Sequence, residues 1–223
     1  MGLLRPIPAG AITSLIDGKG HLLWNAGKVV TQYLEDHAQE LVVDKDVLEL
    51  GAGAGLPSVV CALRGARTVV VADYPDVDLV QNLQHNINTC GDIPSTTSIE
   101  ARGYLWGNDT TVLTANLKDP AVGFDLLILA DVLFNHSEHH KLAATVQATL
   151  KKQPHARALV FFTPYRPWLL EKDLVFFDVA RAGGLKVEKL FEQIMDKVMF
   201  EDDPGDEMLR RTVFAYDVRW PTD

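Results

Sequence analysis

Short apolar runs alternate with stretches of helical periodicity along most of the chain. Runs of aliphatic and β-branched residues predict five strands, which alternate with segments of helical spacing. Strands and helices that alternate in this way form a parallel sheet with helices on both faces. The predicted strands are 46–50, 68–72, 98–104, 125–130 and 158–163, and the predicted helices are 22–41, 56–63, 76–88, 138–150 and 169–182.

The alternation stops near the C-terminus. Residues 185–191 and 211–220 both have the composition of strands, and no long helical pattern separates them. Two strands without a crossover helix between them are most easily antiparallel. We therefore predict a Rossmann-like sheet of seven strands with helices on both faces and an antiparallel C-terminal strand pair, and not the six-strand sheet of dinucleotide-binding proteins.

Length and composition favour one domain. The chain has 223 residues, of which 47% are hydrophobic, enough for a single large core. We expect one domain over residues 1–223, in which residues 1–45 supply an N-terminal lead and a helix that packs over the cofactor site. No internal repeat divides the chain.

The net charge and the number of cysteines make some functions less plausible than others. A formal net charge of −9, from 21 basic and 30 acidic residues, argues against nucleic acid as a partner and favours a cationic substrate. The 2 cysteines do not make a disulfide framework, so we expect reduced thiols. No apolar stretch approaches the roughly 20 residues of a membrane-spanning helix, and no secretory signal is evident. A soluble, cytoplasmic protein is expected.

A glycine-rich turn follows the first predicted strand. Gly51, Gly53 and Gly55 come directly after the apolar run, and an apolar helical stretch begins at Leu56. Glycines remove the Cβ atoms that would block positive φ or the close approach of a ligand to the backbone. The free amides at the start of the helix face the same turn. The pattern therefore predicts a cradle for a nucleoside cofactor.

The position of the third glycine separates two cofactor classes. A dinucleotide-binding turn needs glycine or alanine three residues after the second glycine, and Leu56 occupies that position. The observed GxGxG follows the acidic residue Glu49, an arrangement found in S-adenosylmethionine sites, where the ligand has no phosphate for the carboxylate to repel. We therefore favour S-adenosylmethionine. A dinucleotide site and a purely structural glycine turn are the alternatives.

The second predicted strand ends in an acidic residue. Asp73 lies 22 residues after Gly51, and a carboxylate at about this distance accepts hydrogen bonds from ribose hydroxyls. The alternative is a turn or helix-capping aspartate ahead of Pro75. Because Asp73 follows the glycine turn at the expected distance, we predict that it binds ribose.

Ligands of open α/β sheets lie beyond the carboxyl ends of the strands. By this rule, the segments that follow the third and fourth predicted strands are also candidates for the site. Trp106 follows the third strand and offers a flat apolar surface for an adenine-sized ligand, although core packing would explain the tryptophan equally well. Gly107 lets its backbone come close to the ligand. Ala130 is a small residue over which a cofactor can lie. Asp131 opens the next loop and is predicted to face the reactive methyl group, with a capping role as the alternative. Phe134 is predicted to border a substrate channel.

Three histidines follow this loop. His136, His139 and His140 have the spacing of one helical face, but no cysteine or further acidic residue completes a ligand set, so we predict no metal site. Capping of a helix by Asn135 or Ser137 is the simpler explanation. One histidine is also a candidate acceptor for a substrate proton, because imidazole titrates near neutral pH.

Taken together, these motifs resemble the twisted-sheet lysine methyltransferases. Within them, the chain is most similar to the fungal enzymes that methylate the N-terminus and the adjacent lysine of translation elongation factor 1-alpha. The resemblance extends from about residue 22 to the C-terminus, and it implies the class I methyltransferase form of the seven-strand sheet. The matching segments are 23–28, 49–57, 73–75, 103–107, 131–140, 164–168 and 202–207.

The resemblance also implies roles for individual residues. Asp131 to Phe134 would border the substrate amine, with Asp131 and Phe134 as the catalytic candidates. Trp24 is assigned only by the resemblance, since a lone tryptophan in an amphipathic helix more often belongs to a core. The residues implied to contact the methyl donor are Trp24, Gly51, Ala52, Gly53, Asp73, Trp106 and Ala130.

The expected activity is therefore transfer of a methyl group from S-adenosylmethionine to elongation factor 1-alpha. Some members of the family were formerly labelled nicotinamide methyltransferases, so methylation of a small amine is one alternative. A cofactor-binding scaffold without activity is another. Members also usually have a longer segment before the tryptophan helix than the roughly 20 residues present here, and a short lead is expected to alter activity if that segment closes over substrate.

Overall fold

Seven strands form one sheet in the computed structural model, which describes residues 24–221. The strands are β1 Asp46–Leu50, β2 Thr68–Asp73, β3 Ser98–Gly103, β4 Leu126–Ala130, β5 Arg157–Phe162, β6 Lys186–Ile194 and β7 Thr212–Arg219. They lie side by side in the order β3-β2-β1-β4-β5-β7-β6. The order reverses next to β1, which is where open α/β sheets bind their ligands.

The predicted fold class is confirmed. Strands β1 to β5 are parallel to one another, whereas β7 is antiparallel to both β5 and β6. The connection between β6 and β7 contains a helix of five residues, Glu207–Arg211, which is too short for a parallel crossover. The C-terminal pair is therefore antiparallel, as its sequence predicts.

The helices also agree with the prediction to within a few residues. One difference is that the predicted helix 22–41 is interrupted at His37. The short helices Thr111–Thr114 and Glu207–Arg211 were not predicted. The predicted lead before the first helix lies outside the described residues. The helices are α1 Asn25–Asp36, α2 Ala38–Leu41, α3 Leu56–Leu63, α4 Val77–Thr89, α5 Thr111–Thr114, α6 His139–Thr149, α7 Leu170–Ala182 and α8 Glu207–Arg211. Within residues 24–221, no helix has the length and apolar character needed to cross a bilayer.

The sheet separates two apolar cores. Along β1, Val47 contributes to the core that contains residues of α1, α3 and α4, whereas Leu48 and Leu50 contribute to the core that contains residues of α6 and α7. This alternation follows from the two-residue period of a strand. All five residues of β1 are buried, so the turn that follows β1 rests on a rigid base.

A buried group of charges fixes the other end of β1. Asp46 is 4% exposed and accepts hydrogen bonds from Arg67 Nε at 2.9 Å and from Lys151 Nζ at 3.0 Å. Lys151 also pairs with Asp125 at 2.9 Å. Burial opposes ionisation of Asp46, but the bonds from Arg67 and Lys151 outweigh it and lower the pKa of this carboxyl. The starts of β1, β2 and β4 are thereby held together.

Replacing Asp46 with asparagine should therefore destabilise the fold. We expect D46N to lower the free energy of unfolding by about 3 kcal/mol, because Lys151 stays buried with fewer partners. The lowered pKa of Asp46 means that its stabilisation is present above the pKa of an unfolded carboxyl and is lost as the pH falls further. The difference between wild type and D46N should therefore shrink in acid. Urea unfolding at several pH values measures both effects.

The matched control is E188Q. Glu188 forms ion pairs with Lys186 and Arg219 at the surface, and exposed pairs contribute little. Its urea midpoint should equal that of wild type. Equal midpoints for D46N and E188Q would contradict the role assigned to the buried charges.

Candidate functional site

A pocket of about 620 Å³ opens at the carboxyl ends of β1, β2, β3 and β4. This volume lies within the range of pockets that bind small ligands. The pocket lies next to β1, where the strand order reverses. Its wall includes the residues predicted to contact the donor and the two catalytic candidates, namely Trp24, Gly51, Ala52, Gly53, Asp73, Trp106, Ala130, Asp131 and Phe134. Gly107 and the three histidines do not line it.

The glycine turn needs its glycines for two different reasons. Gly51, Gly53 and Gly55 all have positive φ, at 71°, 56° and 76°, a region that side chains disfavour. A Cβ on Gly51 would also lie 2.6 Å from Val132 Cγ1, whereas a Cβ on Gly53 would meet no atom within 4 Å among the described residues. Gly51 is therefore required for packing. Gly53 keeps the surface of the pocket open.

Asp73 lies at the end of β2 and holds the glycine turn. Its Oδ2 accepts a hydrogen bond from Gly53 N at 2.7 Å, and its Oδ1 accepts one from Tyr74 N at 2.6 Å. Each carboxylate oxygen has a second lone pair, and Asp73 also lines the pocket. The carboxylate can therefore accept bonds from ligand hydroxyls without releasing the turn.

Glu49 lies beneath the turn. It is 1% exposed, and its Oε2 accepts hydrogen bonds from both the backbone N and the hydroxyl of Ser58 in α3. Burial raises the pKa of Glu49 to about 8, although the bonds from Ser58 oppose this change. A buried carboxyl that contacts the pocket is therefore largely protonated near neutral pH.

Trp106 lines the pocket after β3, and Gly107 follows it. Trp106 Cζ2 would lie 3.4 Å from a Cβ on Gly51, so the indole is close to the turn. Gly107 has a φ of 83°, and a Cβ there would lie 3.0 Å from Lys141 in α6. Its N donates to Thr145 Oγ1 at 2.9 Å. Gly107 thus allows the Trp106 segment to lie close against α6.

Asp131 has the most constrained position in the site. It is one of two non-glycine residues with positive φ in the described part of the chain, at 54°. Its Oδ1 accepts from Thr163 N at 2.7 Å, and its Oδ2 accepts from Ala26 N at 3.1 Å and from Tyr165 Oη at 3.3 Å. Burial raises the pKa of Asp131 to about 7 against the opposing effect of these bonds. The carboxylate thus connects α1 to the segment after β5.

Trp24 precedes α1 and contributes to the wall of the pocket. Its ring lies edge-on to Tyr165 and Phe200, with centroid distances of 5.1 and 5.7 Å. Trp24 is 40% exposed and lines the pocket, so it is available to a ligand as well as to its aromatic neighbours. The Asp131–Ala26 bond fixes the helix that follows Trp24.

Tyr165 is the main residue that the sequence prediction omitted. It lies after β5, whereas the predicted site used only the ends of β1 to β4. Applying the same rule to β5 would have found it.

Glu138 and Lys141 also line the pocket and form an ion pair of 2.8 Å, but their sequence has no feature that indicates a site.

The three histidines have separate environments. His136 Nε2 lies 2.7 Å from Asp173 Oδ1, and His139 Nε2 lies 2.8 Å from the Leu133 carbonyl oxygen. His140 is exposed. Neither Asn135 nor Ser137 caps a helix as predicted; the Ser137 hydroxyl instead donates to Asn135 Oδ1. Among residues 24–221, no group of three or more His, Cys, Asp or Glu side chains is arranged to hold a metal ion.

Sequence comparison relates the chain to one family. The profile of the lysine methyltransferase family matches residues 12–181. A protein N-terminal and lysine N-methyltransferase of Aspergillus fumigatus is 52% identical over 202 residues, which cover 90% of this chain and 78% of the relative. The enzymes with the same name from Emericella nidulans and Schizosaccharomyces pombe are 51% and 45% identical, each over 90% of this chain and over 80% and 78% of their own lengths.

Solved structures share the fold at low identity. A candidate RNA methyltransferase from Pyrococcus horikoshii has a TM-score of 0.56 at 17% identity, over 96% of this chain and 95% of its own. YcgJ of Bacillus subtilis has a TM-score of 0.58 at 12% identity, over 87% of this chain and 100% of its own. The candidate methyltransferase SMU.776, solved with SAH, has a TM-score of 0.55 at 13% identity, over 83% of this chain and 48% of its own. These similarities establish the fold.

Two glycine variants separate backbone strain from ligand binding. Gly53 and Gly65 both have positive φ and space for a Cβ among the described residues, but only Gly53 lines the pocket. We expect G53A and G65A each to lower the free energy of unfolding by about 1 kcal/mol. Only G53A should weaken S-adenosylmethionine binding, by about tenfold or more. Calorimetry measures the affinity, and equal affinities for the two variants would exclude Gly53 from the cradle.

The raised pKa of Glu49 predicts an unusual pH dependence. The folded protein keeps this proton up to about pH 8, whereas the unfolded chain loses it near its ordinary pKa. The stabilisation is therefore full below the unfolded pKa and is lost as the pH rises through the folded pKa. E49Q lacks this dependence, so its stability relative to wild type should rise between about pH 5 and about pH 9. Urea unfolding across this range measures the difference.

The control for this series is E171Q, because Glu171 is exposed on α7. Its stability should follow that of wild type at every pH. Parallel curves for E49Q and wild type would show that Glu49 does not titrate as its burial implies.

Proposed function

Because the chain belongs to the lysine methyltransferase family, we propose that it methylates the N-terminal α-amine and the adjacent lysine of translation elongation factor 1-alpha. The methyl donor is S-adenosylmethionine. The observation that carries the proposal is the pocket, which brings the glycine turn, Asp73 and Asp131 together at the switch point of the sheet. The fungal relatives are named for methylation of both kinds of amine, and the choice of elongation factor 1-alpha rests on the motifs.

The residues present fit this donor. The open surface at Gly53 and the second lone pairs of Asp73 suit an adenosine ribose. Trp106 offers a flat apolar surface beside the turn. A pocket of about 620 Å³ is large enough for a nucleoside that carries an amino acid. These residues would hold the donor, and Trp24 would cover it.

The reaction depends mainly on the orientation of the amine relative to the methyl group. S-adenosylmethionine supplies an electrophilic methyl group on a positively charged sulfur. The protein has to hold a neutral amine in line with that group and exclude water, and positioning of this kind can remove a large part of a barrier. Asp131 and Phe134 are the predicted catalytic residues, and both line the pocket.

The substrate amine must lose a proton before it can attack. At pH 7 this costs about 4.6 kcal/mol for a lysine and about 1.4 kcal/mol for an α-amine. An N-terminal amine is therefore the easier target. The Asp131 carboxylate can attract the ammonium form by its charge, and the rings of Trp24 and Phe134 can do so through cation–π contacts.

The mouth of the pocket suits a protein substrate better than a small molecule. Phe134 and Tyr74 are 63% and 60% exposed at the mouth, and Trp168 is 59% exposed. Arg166 connects Phe134 to the segment that carries Trp168. Its Nη2 donates to the Phe134 carbonyl oxygen at 2.7 Å, and Arg166 lies two positions before Trp168. Nicotinamide would leave these aromatic side chains uncovered, whereas a peptide chain can cover them.

Charge supports the same substrate. The chain has a net charge of −9, and an acidic segment, residues 201–207, begins next to Phe200, which contacts Trp24. A cationic N-terminus followed by lysine is complementary to this charge. Because translation factors act in the cytoplasm, the proposal includes a cytoplasmic location.

An assay with labelled S-adenosylmethionine tests the function. We expect label to be transferred to purified elongation factor 1-alpha but not to nicotinamide, and mass spectrometry should find it on the N-terminal amine and the adjacent lysine. D131N should reduce turnover by about 100-fold or more, because its amide cannot attract the ammonium by charge. D178N, at an exposed surface position, is the matched control and should behave as wild type.

Label on nicotinamide alone would refute the protein substrate. Donor binding without transfer to elongation factor 1-alpha or to any protein of a cell extract would favour the inactive scaffold. Full turnover by D131N would remove Asp131 from the mechanism.

A further inference from the structure

A second, smaller cavity lies on the other side of Asp131. It has a volume of about 30 Å³ and shares Asp131 and Phe134 with the donor pocket. Its remaining wall residues are Leu133, Phe162, Thr163, Tyr165, Arg166 and Asp173. Asp131 therefore separates a pocket that suits the donor from a small polar cavity.

The cavity has the size and the polar groups that an ordered water molecule needs. A water requires roughly 10–15 Å³ of such space and two to four polar partners. Thr163 is 6% exposed. Its hydroxyl lies near Tyr165 but makes no hydrogen bond of normal geometry with any residue from 24 to 221. An orphaned buried hydroxyl is a common partner of buried water. Asp131 and Asp173 both line the same space.

Asp173 continues the polar route towards the surface. It is 6% exposed and lies 2.7 Å from His136 Nε2. The side chain of His136 is 24% exposed. His139 is a poor alternative, because its Nε2 contacts the Leu133 carbonyl oxygen and burial lowers its pKa. Asp131, the cavity, Asp173 and His136 thus run from the donor pocket to solvent.

The charges around this route leave both carboxyls able to accept a proton. Burial raises the pKa of Asp131 to about 7, the hydrogen bonds to Thr163, Ala26 and Tyr165 lower it, and the charge of Asp173 raises it. Burial likewise raises the pKa of Asp173, against the effects of His136, Arg166 and His139. Asp131 Oδ1 accepts one hydrogen bond and so keeps a free lone pair.

We propose that Asp131, a water molecule in the small cavity, Asp173 and His136 form a proton path that carries the proton of the substrate ammonium to solvent. This inference rests on the proposed function. The ammonium N–H bond breaks and Asp131 takes the proton. Asp131 then gives its proton to the water as the water gives another to Asp173, which leaves Asp131 ionised and the water unchanged. Asp173 passes that proton to His136 Nε2 and becomes ionised again, and His136 releases a proton to solvent. The nitrogen keeps its electron pair, which then forms the bond to the methyl carbon.

The path gives a reason for a histidine at position 136. Deprotonation is a large part of the barrier for a lysine, and histidine is the side chain that gains and loses protons near neutral pH. Asp173 and His136 act through Asp131 and do not touch the substrate. They are therefore positioning and relay residues, and their removal should change the pH dependence of the reaction more than the binding of the donor.

Two conservative variants test the path. D173N can still contact His136 but cannot carry a proton, and H136Q can still contact Asp173 but cannot carry one. With elongation factor 1-alpha as substrate, each should lower kcat at about pH 7 by tenfold or more. The loss should fall to less than about threefold at pH 9.5 for the N-terminal amine, which is mostly neutral there, and should persist in part for the adjacent lysine, most of which is still protonated. Added imidazole should restore part of the H136Q activity at pH 7, and donor affinity by calorimetry should be unchanged.

The control is H140Q, because His140 is exposed on α6, four residues after His136, and does not line the small cavity. Its pH profile should match that of wild type. Circular dichroism verifies that each variant is folded. If one of D173N and H136Q does not fold, the other alone tests the path. An equal loss of kcat at both pH values, or no loss at all, overturns the path.

One readout does not depend on turnover. A carbon-13 NMR titration of Asp131 should show its pKa falling in D173N, because the neighbouring negative charge is removed across the cavity. An unchanged Asp131 pKa would overturn the inference. A lowered Asp131 pKa without methylation of elongation factor 1-alpha by wild type would leave the coupling intact and refute the proposed function instead.

Discussion

The hydrogen bonds of the Asp131 carboxylate connect parts of the fold that are far apart in sequence. They join the amide of Ala26 in α1 to the amide of Thr163 after β5, and the Tyr165 hydroxyl completes the set. Asp131 has a positive φ of 54°, a conformation that is unfavourable for a non-glycine residue and needs compensation from its surroundings. The helix that follows Trp24 is therefore held by the same side chain that borders the predicted reaction centre, so catalytic geometry and local stability depend on one residue.

The fold and one wall of the site could be predicted because their signals are local. Strand β1 and the glycines after it are adjacent in sequence, and Asp73 follows at a distance set by one helix and one strand. The antiparallel direction of β7 follows from the absence of a long helical pattern before it. Asp173 could not be predicted, because its contact with His136 and its place beside Asp131 depend on how α7 packs against the sheet. The break at His37 likewise has no sequence signal.

The electrostatics of the site differ from what the composition suggests. A net charge of −9 implies an acidic protein, yet burial raises the pKa of two carboxyls that line the pocket, Glu49 to about 8 and Asp131 to about 7. The pocket is therefore less negative before binding than a count of its acidic residues implies. A cationic ligand would favour the ionised forms, so occupancy and ionisation of the site are linked.

The contact between Gly51 and Val132 has a consequence for how such proteins evolve. The Cα of Gly51 faces the branched side chain of Val132 with no room for one more carbon, since a Cβ would lie 2.6 Å from Val132 Cγ1. The first glycine of the turn and the residue after Asp131 therefore form one steric unit, although they follow different strands, β1 and β4. Divergence at either position is restricted by the other, and homologues with a larger first residue should show a compensating reduction in volume across the gap.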